Sequence, residues 1–166
     1  MTETKVFNLP NTLKKRSSKP GGRSFDELAK AGDHVVRRNG ASYPSVAAGD
    51  IADLMAIAAR LRQGSPLAVE LQECFRIAHD IRGQAGSFDF PLISAAAGSL
   101  SKFVDKLRNS PPDQAPEVIS LIEVHAATMQ LLLSQNRKGA GGPAEAMILD
   151  GLTKAVEKVQ GTLGIS

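Results

Sequence analysis

Apolar residues recur at spacings of three and four along most of the chain after residue 46, which is the period of helices that bury one face. Gly64-Ser65-Pro66, Phe90-Pro91 and Ser110-Pro111-Pro112 interrupt this pattern. We therefore predict four helices, over residues 47–62, 66–88, 91–108 and 113–135, with Ser65 as the N-cap of the second. Because short connections make consecutive helices antiparallel neighbours, the sequence predicts an all-α, antiparallel up-and-down four-helix bundle.

Two further helices flank this bundle in the prediction, one before it and one after it. Ser24 and Glu27 suit the start of a short helix that ends near Asn39-Gly40. Lys138–Pro143 is typical of a flexible linker, and the helix after it could cap the bundle or bind elsewhere. The predicted organisation is a flexible basic arm (1–23), a short helix with a connecting loop containing Tyr43-Pro44 (24–46), the bundle (47–136), and the linker with a C-terminal amphipathic helix (137–166).

The amino-acid composition favours a helical fold and also bears on the cellular compartment of the protein. Aromatic residues make up only 4% of the chain and Trp is absent, which suits a core of Leu and Ala better than a sheet. The single cysteine, Cys74, excludes an internal disulfide and a Cys-based zinc cluster, so we interpret it as a small buried residue. No run approaches roughly 18 apolar residues and the first residues lack a secretory pattern, so we expect a cytoplasmic protein.

The net charge of +3 is unevenly distributed along the chain. Residues 1–38 carry nine Lys/Arg and four Asp/Glu, a net of +5, whereas the remainder carries eleven and thirteen, a net of −2. The basic character therefore belongs to the leading segment. That segment lacks the interleaved aromatic residues that stack on bases, so a solvated arm is favoured over a nucleic-acid-binding element.

His79 is the candidate for chemistry, because its neighbours leave room for an approaching molecule. On a helix it shares a row with Gln72, Phe75, Arg76, Gly83 and Gly86, at the edge of the apolar stripe. Each glycine inside a helix costs about 1 kcal/mol relative to alanine, so two on one face beside a histidine indicate a need for space. Arg82 adds a positive charge three residues after the imidazole. A neutral imidazole is a competent nucleophile, and a cation nearby would offset the charge of a transferred anion.

The string from His79 to Phe88 resembles the histidine-phosphotransfer (HPt) domains of bacterial two-component phosphorelays. The family pattern is His, two residues, Lys or Arg, then Gly, with small residues after it and an apolar residue near plus nine. This chain matches it with His79, Arg82, Gly83, Ala85, Gly86 and Phe88. It departs in having Arg where Lys is commoner, and Asp89 where glycine is frequent; Asp tolerates turn conformations, so we expect the corner to survive. The resemblance covers about residues 47–135.

The resemblance implies that His79 is phosphorylated by a receiver-domain aspartate or a kinase and passes the group to another response regulator. Arg82 would stabilise the phosphoryl group, and Gly83 and Gly86 would give steric access. A polar side chain on the next helix often lies near the histidine in this family, and Ser101 or Lys102 could serve. The partner would supply magnesium, so the chain itself needs no cofactor and is a relay intermediate, not an enzyme. The predicted docking surface consists of Gln72, Phe75, Arg76 and Phe90.

Three alternatives remain open at this stage. A metal-binding bundle could use His79 and His125 with nearby carboxylates, although the chain has no His-x-x-x-His or Glu-x-x-His pair. A helical adaptor or nucleic-acid-binding protein could act through the basic arm. An HPt-like bundle could also have lost its acceptor activity, which the retained His79 argues against. His125 is expected to be packed or half-exposed, and His34 to lie on the surface of the leading helix.

Overall fold

The computed structural model describes residues 43–109, 111–112 and 116–165, and within these ranges it contains helices and no strand. The predicted basic arm and the predicted helix over 24–38, with His34, lie outside the described residues. The five helices are α1 (Tyr43–Arg62), α2 (Leu67–Ser87), α3 (Pro91–Leu107), α4 (Pro116–Ser134) and α5 (Pro143–Leu163).

Helices α1 to α4 form a closed ring, in which α1 and α3 each contact both α2 and α4. Arg60, near the end of α1, pairs with Glu70 near the start of α2, with 2.6 Å between Nη2 and Oε2. Tyr43, at the start of α1, stacks on Phe88 just after α2, with ring centroids 5.0 Å apart. These contacts at opposite ends show that α1 and α2 run antiparallel.

The α2–α3 contacts show the same relation and bring the backbones close together. The Gln72 amide donates to the carbonyl of Arg108 at 3.4 Å, and Ser94 Oγ donates to the carbonyl of Arg82 at 2.8 Å. The early part of α2 therefore faces the end of α3, so these helices are also antiparallel. The prediction of an all-α bundle is confirmed.

Helix α1 begins earlier than predicted, because Tyr43 belongs to the core. The prediction that Tyr43 and Pro44 lie in a connecting loop is wrong: both are in α1, and the Tyr43 ring is buried against Phe88 and Phe90. Pro44 fits the first turn, where no intrahelical bond needs its missing N–H. Burial, with a smaller contribution from Asp50, raises the pKa of Tyr43 to about 12.

The corner between α2 and α3 depends on a left-handed residue at Asp89, whose φ is +64°. Its neighbour Phe90 donates its backbone N–H to the carbonyl of Ala85 at 2.9 Å, which closes the end of α2 as in a Schellman motif. The expectation that aspartate would support this corner is confirmed. The corner places Phe90 inside the bundle and starts α3 at Pro91.

The start of α2 differs from the prediction by one residue. Pro66 occupies the N-cap position and makes no side-chain capping bond, so the assignment of Ser65 as N-cap is wrong. Ser65 Oγ instead donates to Glu70 Oε1 at 2.8 Å. Glu70 thus accepts hydrogen bonds from both Ser65 and Arg60, which holds its pKa below the ordinary value despite burial.

Helix α5 packs against α3 and α4, so it belongs with the bundle and extends it. Leu152 is its most buried apolar residue, whereas Met147, near its start, is 75% exposed. The segment before α5 turns through two glycines with positive φ, and the Gly142 backbone N–H donates to Glu145 Oε2 at 2.8 Å. This bond caps α5 at its start.

By length and composition alone, α4 is the one described helix apolar enough to cross a membrane. One face of this helix is buried against the bundle. The buried residues are Val118, Leu121, Ile122, His125, Ala126, Met129 and Leu132. Two other apolar residues of this helix, Val124 and Leu131, are 43% and 47% exposed, so the helix has one buried and one exposed side.

Candidate functional site

His79 lies in the middle of α2 with 63% of its side chain exposed. The buried face of the helix, which includes Cys74, Ala78 and Ile81, lies on the opposite side. The histidine therefore points outward more fully than a position at the edge of the apolar stripe implies. An incoming protein can reach the ring without any rearrangement of the bundle.

Two side chains border the imidazole. The Phe75 ring lies one turn earlier, with its centroid 5.8 Å from that of His79. Asp80 Oδ1 lies 3.8 Å from His79 Nδ1, and Arg76 donates to the other oxygen of the same carboxylate at 3.2 Å. The Asp80 carboxylate is thus a close neighbour of the ring, although 3.8 Å is too long for a hydrogen bond to Nδ1. The site therefore presents an exposed imidazole with one aromatic and one acidic neighbour.

The helix surface beside His79 is open at both glycines. A Cβ added to Gly83 would meet nothing within 4 Å, and one added to Gly86 would make only an ordinary 3.6 Å contact with Ser94 Oγ. Packing therefore requires neither glycine, although each costs about 1 kcal/mol relative to alanine in a helix. Gly49 and Gly151 are equally open, so what sets Gly83 apart is its place one turn from the exposed histidine. The space that it leaves is available to a partner.

Arg82 is exposed, but its side chain packs against α3 at Gly98. A Cβ at Gly98 would lie 3.3 Å from Arg82 Cδ, so alanine there would crowd the arginine. Within the described ranges Arg82 forms no ion pair, and its guanidinium keeps its hydrogen-bonding capacity. The structure thus places this cation on the α3 side of His79. Gly98 was missed from the sequence, where only the run of small residues Ala95–Ser99 hinted at close packing.

The predicted docking residues divide into exposed and buried positions. Gln72 and Arg76 are exposed and share the outer face of α2 with His79, and Phe75 is half-buried. Phe90 is only 1% exposed, so the prediction that it forms part of a docking surface is wrong. The reason is the α2–α3 corner, which turns Phe90 inward onto Tyr43.

Arg108 is a neighbour of this surface that the sequence did not reveal. Its guanidinium carbon lies 4.0 Å from the centroid of the Phe75 ring, a cation–π contact. Two hydrogen bonds hold it there: Nε donates to Asp105 at 2.8 Å and Nη1 donates to Gln72 at 3.2 Å. The outer face of Phe75 is therefore partly covered by a fixed positive charge. Only the register of α3 against α2 brings these residues together.

The opposite flank of His79, toward α1, is acidic. Asp50 on α1 lies close enough to both Asp53 and Asp80 for their charges to interact with its own. Burial raises the pKa of Asp50, and the charges of Asp53 and Asp80 raise it further. The outer face of α2, which carries His79, thus lies between this acidic surface and the basic surface formed by Arg82 and Arg108.

His125 is fully buried and both of its ring nitrogens have partners. Nδ1 lies 2.8 Å from the Leu121 carbonyl and Nε2 lies 3.3 Å from Ser99 Oγ. These distances fit a neutral ring that donates from Nδ1 and accepts at Nε2. His125 is thus the packed residue of the two expected possibilities and is closed to an approaching partner. His79 is the exposed histidine of the described residues.

The buried His125 predicts a pH dependence of stability. Desolvation lowers its pKa below the ordinary 6.5, so the unfolded chain binds a proton that the folded chain refuses as the pH falls below 6.5. The free energy of unfolding should therefore be highest above pH 6.5 and should decrease as the pH falls below that value. Urea titrations at pH 7.5, 6.5 and 5.5 measure this. In His125→Gln the free energy of unfolding should depend less steeply on pH. An equal pH dependence in both proteins would show that His125 is not the group responsible.

The remaining candidates behave as structural or solvated groups. Burial raises the pKa of the Cys74 thiol to about 12, which confirms its interpretation as a small buried residue. Of the two polar candidates on α3, Ser101 is buried and Lys102 is exposed. In the described parts of the chain no three His, Cys, Asp or Glu residues lie together as metal ligands would.

The chain also matches a known protein family. The chain matches the family described as Hpt domain over residues 50–162, a range that holds α2 to α4, most of α1 and nearly all of α5. The chain therefore belongs to the Hpt domain family, whose members carry phosphoryl groups on histidine in phosphorelays. No curated protein matches the chain.

Proposed function

We propose that His79 accepts a phosphoryl group from a receiver-domain aspartate, or from a kinase, and relays it to another response regulator. The observation that carries this proposal is an imidazole with 63% of its side chain exposed, one turn from a glycine whose missing side chain leaves open space. Membership of the Hpt domain family supports the reaction class.

In the reaction that we propose, the exposed His79 ring acts as the nucleophile through a nitrogen that carries a lone pair. That lone pair attacks the phosphorus of the partner's aspartyl phosphate, the P–O bond breaks, and the aspartate leaves as a carboxylate. The N–P bond formed is a phosphoramidate, and the reverse attack by a second aspartate returns the imidazole. Phosphoryl transfer depends mainly on positioning and on charge stabilisation. The partner supplies magnesium, and this chain supplies the nucleophile and the cation Arg82.

The docking surface that we propose is the outer face of α2, formed by Gln72, Phe75, Arg76, Gly83 and Gly86 around His79. It is a small surface, as suits a transient signalling contact. The chain is then a cytoplasmic relay intermediate that relies on its partners for catalysis.

The direct experiment mixes the purified full-length chain with a receiver domain phosphorylated on its aspartate. We expect label on the chain that is lost in acid and kept in base, as a phosphoramidate requires, and that maps to the peptide containing His79. Absence of label with every receiver and kinase of the source organism, or label that resists acid, would count against the proposal.

Arg82 should matter to the transfer rate more than to stability. Arg82→Ala removes the cation three residues from His79, and we expect the rate to fall about tenfold, as expected for the loss of one hydrogen bond between charged groups. Arg82→Lys should recover part of it, because the charge remains. Single-turnover transfer from a phosphorylated receiver measures both. Lys158→Ala on α5 removes the same charge and should leave the rate unchanged; an equal fall there would show a net-charge effect instead.

A further inference from the structure

A groove between α3 and α5 lies on the far side of Arg82 from His79. Its volume is about 670 Å³, which is within the roughly 300–1,000 Å³ typical of small-molecule sites. Residues of α2, α3 and α5 line it, and His79 is not among them. The acceptor site does not account for this groove.

The charged side chains that line the groove are mostly positive. Arg82 enters it from α2, and Lys102 and Lys106 project from successive turns of α3, whereas Glu157 is the one carboxylate in the lining. Within the described ranges, none of these three cations forms an ion pair. Like charges four residues apart on a helix repel each other, so Lys102 and Lys106 are destabilising unless an anion joins them.

Polar groups add hydrogen-bonding capacity along the walls of the groove. Gln160 from α5 contributes a side-chain amide with two N–H donors, and Ser99 contributes the hydroxyl that also contacts His125. The aliphatic part of Arg82 packs against Gly98 of α3, and this contact directs the guanidinium into the groove. A guanidinium held against α3 and two ammonium groups one helical turn apart suit several phosphate groups in a row.

We infer that this groove binds a small oligophosphate anion, meaning a chain of two or three phosphoryl groups that is free or attached to a nucleoside. Arg82 provides paired donors for one phosphate group, and Lys102 and Lys106 neutralise the others. The groove is concave and walled by two helices, which favours a small anion over the flat acidic surface of a protein. The inference does not depend on the relay function, because it needs no reaction at His79.

Isothermal titration of the full-length chain with inorganic tripolyphosphate at low ionic strength tests this binding. We expect one site per chain, with an affinity that falls as salt is added because the contacts are largely electrostatic. Lys102→Ala and Lys106→Ala should each weaken binding about fivefold, as expected for a charge-assisted hydrogen bond in a partly closed site. Both lysines are exposed, so these variants should fold.

Matched variants and ligands separate the outcomes. Lys158→Ala removes an exposed lysine that borders the α4–α5 side instead, and it should bind tripolyphosphate as the parent does. His79→Gln should also bind normally, which distinguishes this groove from the acceptor site. A nucleoside triphosphate in place of tripolyphosphate shows whether the attached nucleoside adds affinity. No binding at low salt, equal losses in Lys158→Ala, or binding of polyglutamate but not of tripolyphosphate would overturn the inference.

Discussion

Replacing His79 by glutamine is expected to abolish phosphoryl transfer to the chain while leaving the bundle folded. Glutamine has no nitrogen lone pair that can attack phosphorus, so no phosphoramidate can form at this position. The side chain is 63% exposed and glutamine is a good helix former, so the free energy of unfolding should change by less than about 0.5 kcal/mol. Transfer from a phosphorylated receiver and urea unfolding measure the two effects separately.

The other histidine of the described residues makes this result specific. His125 is buried with both ring nitrogens occupied, so it should not take over when His79 is lost. A second control moves the nucleophile: Gln72→His combined with His79→Gln places an imidazole two turns earlier on the same exposed face. Gln72 has no glycine one turn after it, so we expect no label in the double variant. Label that persists in His79→Gln would move the acceptor to His34 or His125.

The sequence predicted the parts of the structure that depend on local pattern. Apolar spacing located the helices, and the three-residue and four-residue periodicity of α2 placed His79, Gly83 and Gly86 on one side of it. The resemblance to a family in which glycine is frequent at this position led us to expect that Asp89 would support the corner, and its φ is +64°. These features are set by neighbours within one or two turns of the same helix, so no knowledge of the partner helices was needed.

Apart from the one-residue shift at the N-cap of α2, the main errors arise where two helices meet. Tyr43 and Phe90 carry the signals of loops and corners, yet each is buried because the α2–α3 corner brings them together. Gly98 and Arg108 were missed for the same reason, since their roles depend on which residues of α2 they face. The register between helices is not encoded in the periodicity of either one. The candidate site residues on α2 could therefore be proposed from the sequence. The contacts that Gly98 and Arg108 make with α2 could not.

A leucine in place of Gly83 is expected to slow phosphoryl transfer by about 100-fold, the cost of a displacement near 1 Å at the reacting atoms. The structure offers this side chain open space, since a Cβ there meets nothing within 4 Å, so the variant should fold. It should even be more stable by up to about 1 kcal/mol, because leucine is a far better helix former than glycine. Single-turnover rates, with thermal unfolding alongside, report both changes. Loss of transfer together with a gain in stability is a combination that damage to the fold cannot produce.

Gly151 provides the matched control, because it is also an open glycine inside a helix but lies on α5, away from His79. Gly151→Leu should give a similar gain in stability with no change in the transfer rate. Gly83→Ala should fall between the parent and the leucine variant, since a methyl group fills less of the approach than an isobutyl group. Equal rates for Gly83→Leu and the parent would show that the partner does not use this space. An equal slowing in Gly151→Leu would instead trace the effect to general stiffening of the helices, and the glycine would lose its place in the site.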